Sequence, residues 1–161
     1  RVPASLAGWE RRFWQGSHDH RGTPDKPGRV VTLIRAPHVN CVGMGYRIDS
    51  QNVPAVLTHL DFREKNGYER FEADIHFLPM PSGSTQASRK SESALVYIAT
   101  PDNFAHLGEA SDQKIAQQIH RSIGPSGTNR EYLFALHEAL QELGAEDDHV
   151  ARLVDLVLKI G

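Results

Sequence analysis

The hydrophobic period of the sequence changes within one short stretch, and this change restricts the fold more than any other feature. Residues 53–60 carry apolar side chains at i, i+3, i+4 and i+7, which is typical of one face of a short helix. Over residues 71–77, apolar and polar residues alternate, which predicts a half-buried strand. Between them, Asn66-Gly67 is a turn signal because both residues tolerate a positive φ. The chain is therefore predicted to pass from helix to strand here, with Glu64 on the connection.

A carboxylate on such a connection has two readings. A scaffold can hold Glu64 at the mouth of a pocket, where loop residues often carry function. On local pattern alone, a solvated surface glutamate is the more common outcome. The period change by itself does not decide between them.

Length and composition indicate one globular domain spanning residues 1–161. A chain of 161 residues is long enough for a proper core, and its net charge of -2 gives no reason to expect a nucleic acid or an anionic membrane as partner. No apolar run approaches the roughly 18 residues of a membrane-spanning helix. The single cysteine, Cys41, cannot form an internal disulfide, which favours a reducing, cytoplasmic compartment.

The first two thirds of the sequence are predicted to be mainly strands. The predicted elements, in chain order, are an extended segment over 7–15, strands over 29–35 and 40–49 joined at 36–38, a helix from Ser50 as N-cap to Phe62, a strand over 69–78, a loop over 79–92 and a strand over 93–100. Residues 94–99 form a nearly continuous apolar run of strand length. Such a run predicts a strand that is buried on both faces.

The last third of the sequence is predicted to form three helices. Ser111 is placed to cap the first, and Thr128 has capping-box spacing to Glu131 at the start of the second. Gly144 ends the second, and the third begins near Glu146. The side chains predicted to face inward are Ile115, Ala116, Ile119 and Ile123, then Leu133, Leu136 and Leu140, then Val150, Leu153, Val154, Val157 and Ile160. Strands followed by helices indicate an α+β fold.

Several short motifs invite a functional reading, and each has a plainer one. His18-Asp19-His20 lacks the spacing of the usual zinc motifs, so a metal site is disfavoured. Cys41 lies in a predicted strand, where a small core residue is the ordinary outcome. The stretch 124–127 could bind an anion ahead of the helix that follows, although a plain turn between helices is more common. The residues by themselves do not name a reaction.

A longer series of motifs carries a family resemblance. In chain order they are Arg12-Phe13-Trp14-Gln15-Gly16-Ser17, Asp19-His20-Arg21-Gly22, Pro27-Gly28-Arg29-Val30-Val31-Thr32-Leu33, Gly45-Tyr46-Arg47, Leu60-Asp61-Phe62-Arg63-Glu64-Lys65 with Gly67-Tyr68, Leu95-Val96-Tyr97-Ile98-Ala99-Thr100-Pro101, Leu107-Gly108, Gly124-Pro125-Ser126-Gly127, and Asn129 with Glu131-Tyr132-Leu133. From about Gly8 to the C-terminus, the chain resembles the ChaC-type family. Its members are glutathione-specific γ-glutamylcyclotransferases.

The resemblance implies a fold and four site residues. The family fold is a small mixed β-barrel with flanking helices, which agrees with the α+β prediction. By this resemblance, Glu64 matches the catalytic acid/base glutamate. Ser17 and Arg21 match positions that shape and charge the substrate pocket, and Tyr97 matches a pocket tyrosine.

The implied reaction is intramolecular. The α-amine of the γ-glutamyl group attacks its own γ-amide carbonyl, which yields 5-oxoproline and Cys-Gly from glutathione. Attacker and target belong to one molecule, so the resemblance implies no metal and no organic cofactor, and a small-molecule substrate as the partner. Two alternatives remain open: a cyclotransferase for other γ-glutamyl amino acids or amines, and a non-catalytic interaction module.

The N-terminal residues depart from the family pattern. Family members open with a strand and a Tyr-Gly-Ser-Leu loop that holds the γ-glutamyl group. Residues 1–8 resemble the segment that follows this loop. The resemblance therefore predicts that the N-terminal strand is missing from residues 1–161, and that an open sheet edge lies near Glu64.

Overall fold

A computed structural model describes residues 1–65, 67–79 and 91–160. Within them the elements are β1 (Val2–Ser17), β2 (Gly28–Gly45), a 3₁₀ turn (Ser50–Asn52), α1 (Val53–Arg63), β3 (Tyr68–Phe77), β4 (Ser91–Ala99), α2 (Asp112–Arg121), β5 (Ile123–Gly124), β6 (Gly127–Thr128), α3 (Asn129–Glu142) and α4 (Asp148–Ile160). This composition confirms the predicted α+β class. In the part of the chain described, no helix combines the length and the apolar character needed to cross a membrane.

The main sheet is open. Its four strands lie in the order β2-β1-β3-β4, and β5 pairs with β6 in a separate ribbon. β1 is antiparallel to β3, with Ala4 opposite Phe77, and β3 is antiparallel to β4, with Tyr68 opposite Ala99. The predicted barrel closure is wrong for the residues described, since β2 and β4 are both edge strands. Closing a barrel requires the two edge strands of a sheet to pair with each other, and within the described ranges β2 and β4 do not pair.

β2 is one long strand where the sequence predicted two. It runs without a break through Ala36-Pro37-His38, the tripeptide expected to join strands 29–35 and 40–49. Proline lacks a backbone N–H and is tolerated in edge strands, where one side of the backbone has no neighbour. The edge position of β2 explains why Pro37 does not end the strand.

β4 is less buried than its composition predicted. Leu95 is 44 % exposed, Val96 and Tyr97 are partly buried, and burial is complete only at Ile98 and Ala99. The prediction of burial on both faces is therefore wrong. β4 is an edge strand and pairs with β3 alone in the part of the chain described. Most of the predicted loop over 79–92 lies outside the described residues.

The helical signals of the sequence are confirmed. The Ser111 side chain accepts a hydrogen bond from the Lys114 N–H at the start of α2. Thr128 and Glu131 form both bonds of a capping box at the start of α3. Two of the side chains predicted to face inward do not. Ile123 lies in β5 and is 62 % exposed, and Ile160 is exposed at the end of α4.

The start of α1 also differs from the prediction. Ser50 lies in the 3₁₀ turn, and the N-cap of α1 is Asn52, with no side-chain capping bond. Pro54 lies in the first turn of the helix, as expected, where a missing N–H costs nothing. The helix itself is present over nearly the predicted range.

The chain forms two compact units. The sheet unit comprises residues 1–10 and 35–104, and the helical unit comprises residues 11–34 and 105–161. The core cluster belongs to the helical unit and consists of Phe13, Ile115, Ala116, Ile119, Leu133, Leu140, Val150, Leu153, Val154 and Val157. In the sheet unit, the buried apolar side chains include Ala4, Leu6, Ile98 and Ala99.

Candidate active site

Glu64 is held on the connection between α1 and β3, as predicted. Its N–H donates to Leu60 O at 2.8 Å at the end of the helix, and its C=O accepts from Tyr68 N at 3.2 Å at the start of the strand. Its side chain is 23 % exposed, and Oε1 lies 3.2 Å from Arg63 Nε. The backbone on both sides of Glu64 is therefore hydrogen-bonded, while its carboxylate remains reachable.

A glycine makes this connection possible. Gly67 has φ of 99°, a left-handed conformation that other residues rarely adopt. A Cβ at this position would also overlap the Asn103 side chain. Both constraints require glycine directly before β3.

Tyr97 faces an acidic side chain of α1. Arg70 on β3 lies directly opposite Tyr97 on β4, so the two side chains share one face of the sheet. Tyr97 Oη donates to Asp61 Oδ1 at 2.7 Å, and Arg70 Nε lies 3.4 Å from the same oxygen. We call Asp61, Glu64, Arg70 and Tyr97 the Tyr97 cluster.

The surroundings of Tyr97 act on the ionisation of its phenol. Burial raises the pKa of the Tyr97 phenol, and the hydrogen bond to Asp61 and the negative charge of Asp61 raise it further. The positive charge of Arg70 acts in the opposite direction, and the charge of Glu64 adds to the increase. These effects together stabilise the phenol in its neutral form.

Ser17 and Arg21 are joined in the helical unit. Ser17 is buried at the end of β1, and its Oγ accepts from Arg21 N at 2.9 Å. The Arg21 guanidinium donates from Nη1 to Thr128 O at 3.2 Å and lies 3.5 Å from Glu131 Oε2. It also lies 6.0 Å from the centre of the Tyr132 ring. Arg21 therefore lies against the N-terminal end of α3, and Ser17 is bonded to the backbone of Arg21.

A buried amide holds β2 against the same end of α3. Asn129 is fully buried, and its Oδ1 accepts from Arg29 N at 2.6 Å while its Nδ2 donates to Arg29 O at 2.8 Å. The Arg29 side chain donates from Nε to Gln118 and from Nη1 to Phe13 O and Gly108 O. Burial lowers the pKa of Arg29, and its bonds go to neutral oxygens. Arg29 is therefore a structural cation, a role that its sequence position does not indicate.

His20, in the 18–20 stretch, contacts a serine and an aspartate. His20 Nδ1 lies 3.1 Å from Ser126 Oγ, and its Nε2 lies 3.8 Å from Asp19 Oδ2. Over residues 1–65, 67–79 and 91–160, no group of three or more His, Cys, Asp or Glu side chains is arranged to hold a metal ion.

Comparison with known proteins gives the family. The family model described as "ChaC-like protein" matches residues 1–160. The chain belongs to the ChaC-like family. The ChaC-type resemblance of the sequence motifs is thereby confirmed.

Curated relatives and a solved structure agree with this membership. A relative from Arabidopsis thaliana named γ-glutamylcyclotransferase 2-3 is 43 % identical over 163 residues, which cover 99 % of this chain and 79 % of the relative. A Homo sapiens relative named glutathione-specific γ-glutamylcyclotransferase 1 is 41 % identical, covering 94 % of this chain and 67 % of the relative. The crystal structure of a γ-glutamyl cyclotransferase specific to glutathione from yeast superposes with a TM-score of 0.87 at 31 % identity, covering 98 % of this chain and 87 % of that one.

Sequence reasoning missed two members of the Tyr97 cluster of this ChaC-like chain. Asp61 precedes Glu64 by three residues on α1, and this helical spacing could have indicated a shared face. Arg70 carries no such signal, because its place opposite Tyr97 depends on the register between β3 and β4.

Proposed function

We propose that this ChaC-like chain is a γ-glutamylcyclotransferase that cleaves glutathione into 5-oxoproline and Cys-Gly. The observation that carries the proposal is the Glu64 carboxylate, held on a hydrogen-bonded connection between α1 and β3. The human relative and the yeast structure, both named for glutathione, support the choice of substrate.

The reaction needs proton transfer more than it needs a protein nucleophile. The α-amine nitrogen attacks the γ-amide carbonyl carbon, a new C–N bond closes the five-membered lactam, and the bond to the cysteine nitrogen breaks. One proton leaves the attacking amine and one reaches the departing amine. Because attacker and target share one molecule, holding it folded supplies a large part of the roughly 7–11 kcal/mol that favourable intramolecular geometry can give.

Glu64 is proposed to carry both protons in turn. As a base, its carboxylate takes a proton from the attacking amine, and as an acid it returns one to the departing amine. Arg63 Nε, 3.2 Å from Oε1, supplies a counter-charge to the ionised form. General acid–base catalysis by one positioned group contributes typically about 10²–10⁴-fold.

Arg21, Ser17 and Tyr97 are proposed to bind and orient the substrate. The planar guanidinium of Arg21 suits a carboxylate, and glutathione carries one at each end. Ser17 fixes the backbone of Arg21 through the 2.9 Å bond to its N–H. None of these three groups needs to exchange a proton with the substrate.

The proposed setting is a reducing, cytoplasmic one. The chain contains a single cysteine, Cys41, in β2, so its fold does not depend on an internal disulfide. Its net charge of -2 favours a small-molecule partner over a nucleic acid.

Direct assay of two substrates tests the proposal. The full-length protein is incubated with glutathione and, separately, with γ-glutamyl-alanine, and 5-oxoproline is measured. Faster release from glutathione is expected. Faster release from γ-glutamyl-alanine would support the broader cyclotransferase suggested by the Arabidopsis relative, whose name specifies no substrate. A folded, full-length protein that cyclises neither compound contradicts the enzymatic proposal and favours an interaction module.

A further inference from the structure

We propose that Asp61 is a positioning residue that orients the Tyr97 hydroxyl, so that Tyr97 accepts a hydrogen bond from the substrate's α-amine. The inference rests on the proposed function and deepens it, because it gives Tyr97 one defined role and assigns a role to Asp61. It starts from the 2.7 Å contact between Tyr97 Oη and Asp61 Oδ1.

The direction of this hydrogen bond follows from the two groups. A phenol carries one O–H hydrogen, and an ionised carboxylate can only accept. A separation of 2.7 Å is typical of an O–H···O bond. Tyr97 therefore donates its one hydrogen to Asp61 and is left with lone pairs alone for any other partner.

The position of Asp61 is fixed from two sides. Its backbone belongs to the last turn of α1, three residues before Glu64, the C-cap residue that follows the helix. Its Oδ1 is also 3.4 Å from Arg70 Nε, and Arg70 lies opposite Tyr97 across the β3–β4 register. The position of Asp61, which accepts the hydrogen bond from Tyr97, is therefore set by α1 and also by its contact with Arg70 on β3.

This arrangement selects the kind of substrate group that Tyr97 can contact. A lone pair binds an N–H donor, and it repels a carboxylate or an oxyanion. In the reacting half of a γ-glutamyl compound, the α-amine is the group that both donates N–H bonds and must be aimed at the carbonyl. An ordinary phenol is already protonated at neutral pH, and burial and the bond to Asp61 raise the pKa of Tyr97 further, so the hydrogen stays on Tyr97.

A double-mutant cycle between Asp61 and Tyr97 tests the inference. Asp61→Ala and Tyr97→Phe are each expected to lower kcat/KM for glutathione by about tenfold or more, the range for losing a bond to a charged group. The loss is expected mainly in kcat, because the amine is held less well for attack. In the Tyr97→Phe background, Asp61→Ala should have no further effect. Additive losses would overturn the inference, because Asp61 would then act without Tyr97.

A conservative variant and a surface variant accompany the cycle. Asp61→Asn keeps an oxygen that can accept a hydrogen bond from the Tyr97 hydroxyl. This variant is expected to retain more activity than Asp61→Ala. Asp74→Ala removes an exposed carboxylate from β3 and should leave kcat/KM within about twofold. If Asp61→Asn lowers kcat/KM as much as Asp61→Ala does while both variants are folded, accepting the hydrogen bond from Tyr97 is not the role of Asp61.

A spectroscopic measurement separates this inference from the proposed function. Ultraviolet titration of the phenols, with Tyr97→Phe subtracted, isolates the ionisation of Tyr97 among the four tyrosines. Asp61→Ala should move the pKa of Tyr97 toward its ordinary value, whereas Asp74→Ala should not. An unchanged Tyr97 titration overturns the inference even if glutathione is cleaved. A chain that cleaves no γ-glutamyl compound but shows the shift contradicts the proposed function and leaves the Asp61–Tyr97 bond established.

Discussion

Glu64 lies at the junction of a helix and a strand, where the backbone is hydrogen-bonded in both directions. Leu60 O accepts from its N–H, and Tyr68 N donates to its C=O. The backbone bonds fix the position from which the side chain extends, and Arg63 Nε lies 3.2 Å from its Oε1. This rigidity is what an acid/base group needs, since proton transfer depends on distance and angle.

Glu64→Gln is expected to lower turnover of glutathione at least about 10²-fold. Glutamine keeps the size of the side chain and loses the proton acceptor, so thermal stability should change little. The measurement is 5-oxoproline release at saturating glutathione, together with a thermal melt. Glu72→Gln, at an exposed position of β3, serves as the matched control and should keep nearly full activity. Turnover of Glu64→Gln close to that of the unmutated chain would exclude the acid/base role.

Arg21→Lys is expected to raise the KM for glutathione by about tenfold or more. Lysine keeps the charge and loses the planar fork that suits a carboxylate. The effect on kcat should be smaller, because Arg21 does not take part in proton transfer. The measurement is steady-state kinetics with glutathione.

A control is needed for Arg21 because this residue also contacts Thr128 O and Glu131. Arg121→Lys, at an exposed position at the end of α2, makes the same chemical change away from that contact. An Arg21→Lys chain with unchanged KM would show that the guanidinium fork binds no substrate carboxylate.

At the scale of elements, the N-terminus of α3 is the best defined junction of the helical unit. Thr128 Oγ1 accepts from Glu131 N at 3.2 Å, and Glu131 Oε2 accepts from Thr128 N at 2.8 Å. Arg21 Nη1 donates to Thr128 O in this turn, and Arg29 N donates to Oδ1 of Asn129, the residue after it. The capping box therefore orders the turn that holds a predicted binding residue.

Thr128→Ala is expected to reduce the free energy of unfolding by about 1 kcal/mol. The alanine leaves the Glu131 N–H without its side-chain acceptor and frees the first turn of α3. Urea denaturation followed by circular dichroism measures the change. Thr128→Ser keeps the hydroxyl and should recover most of the loss. Equal losses in both variants would mean that the cap contributes nothing through its oxygen.

The helical elements could be predicted from local sequence, and the strands only in part. Caps such as Ser111 and Thr128 act within three residues, so their bonds follow from neighbouring positions in the chain. The continuity of β2 through Pro37 depends on its lying at the edge of the sheet. The exposure of Leu95 depends on β4 lying at the other edge. Edge position is set by strand order, which no local pattern encodes.

At the scale of the whole molecule, the buried His149 makes the free energy of unfolding depend on pH. His149 on α4 accepts from Phe13 N through Nε2 at 3.3 Å, and its Nδ1 lies 3.4 Å from Asp112 Oδ1. Burial lowers the pKa of His149, and the charge of Arg12 and the weaker effect of Arg152 lower it further. The charges of Asp112 and Asp147 act in the opposite direction.

The free energy of unfolding is therefore expected to fall as the pH falls below about 6.5, the ordinary histidine value. Above that pH, His149 is neutral in both the folded and the unfolded chain, and its full contribution is present. Below it, the unfolded chain takes up the proton first, so stability is lost until the lowered pKa of the folded state is passed. One such group gives a slope of up to about 1.4 kcal/mol per pH unit.

Urea denaturation at pH 7.5 and pH 5.5 measures this dependence. His149→Gln removes the titrating ring and should lose less stability over the same interval than the unmutated chain does. His59→Gln, at an exposed position of α1, should retain the full dependence. An unchanged pH dependence in His149→Gln would assign the effect to other groups.

The sequence by itself determined the α+β class, the last three helices with their caps, the turn that carries Glu64, and membership of the ChaC-like family. These features depend on spacing along the chain or on ordered motifs, so they can be read without coordinates. Tertiary structure alone decided that the sheet stays open, that β4 is an edge strand, and that Arg70 and Tyr97 both contact Asp61. The physical reason is register: which residues of β3, β4 and α1 face each other is set by pairing between segments distant in sequence.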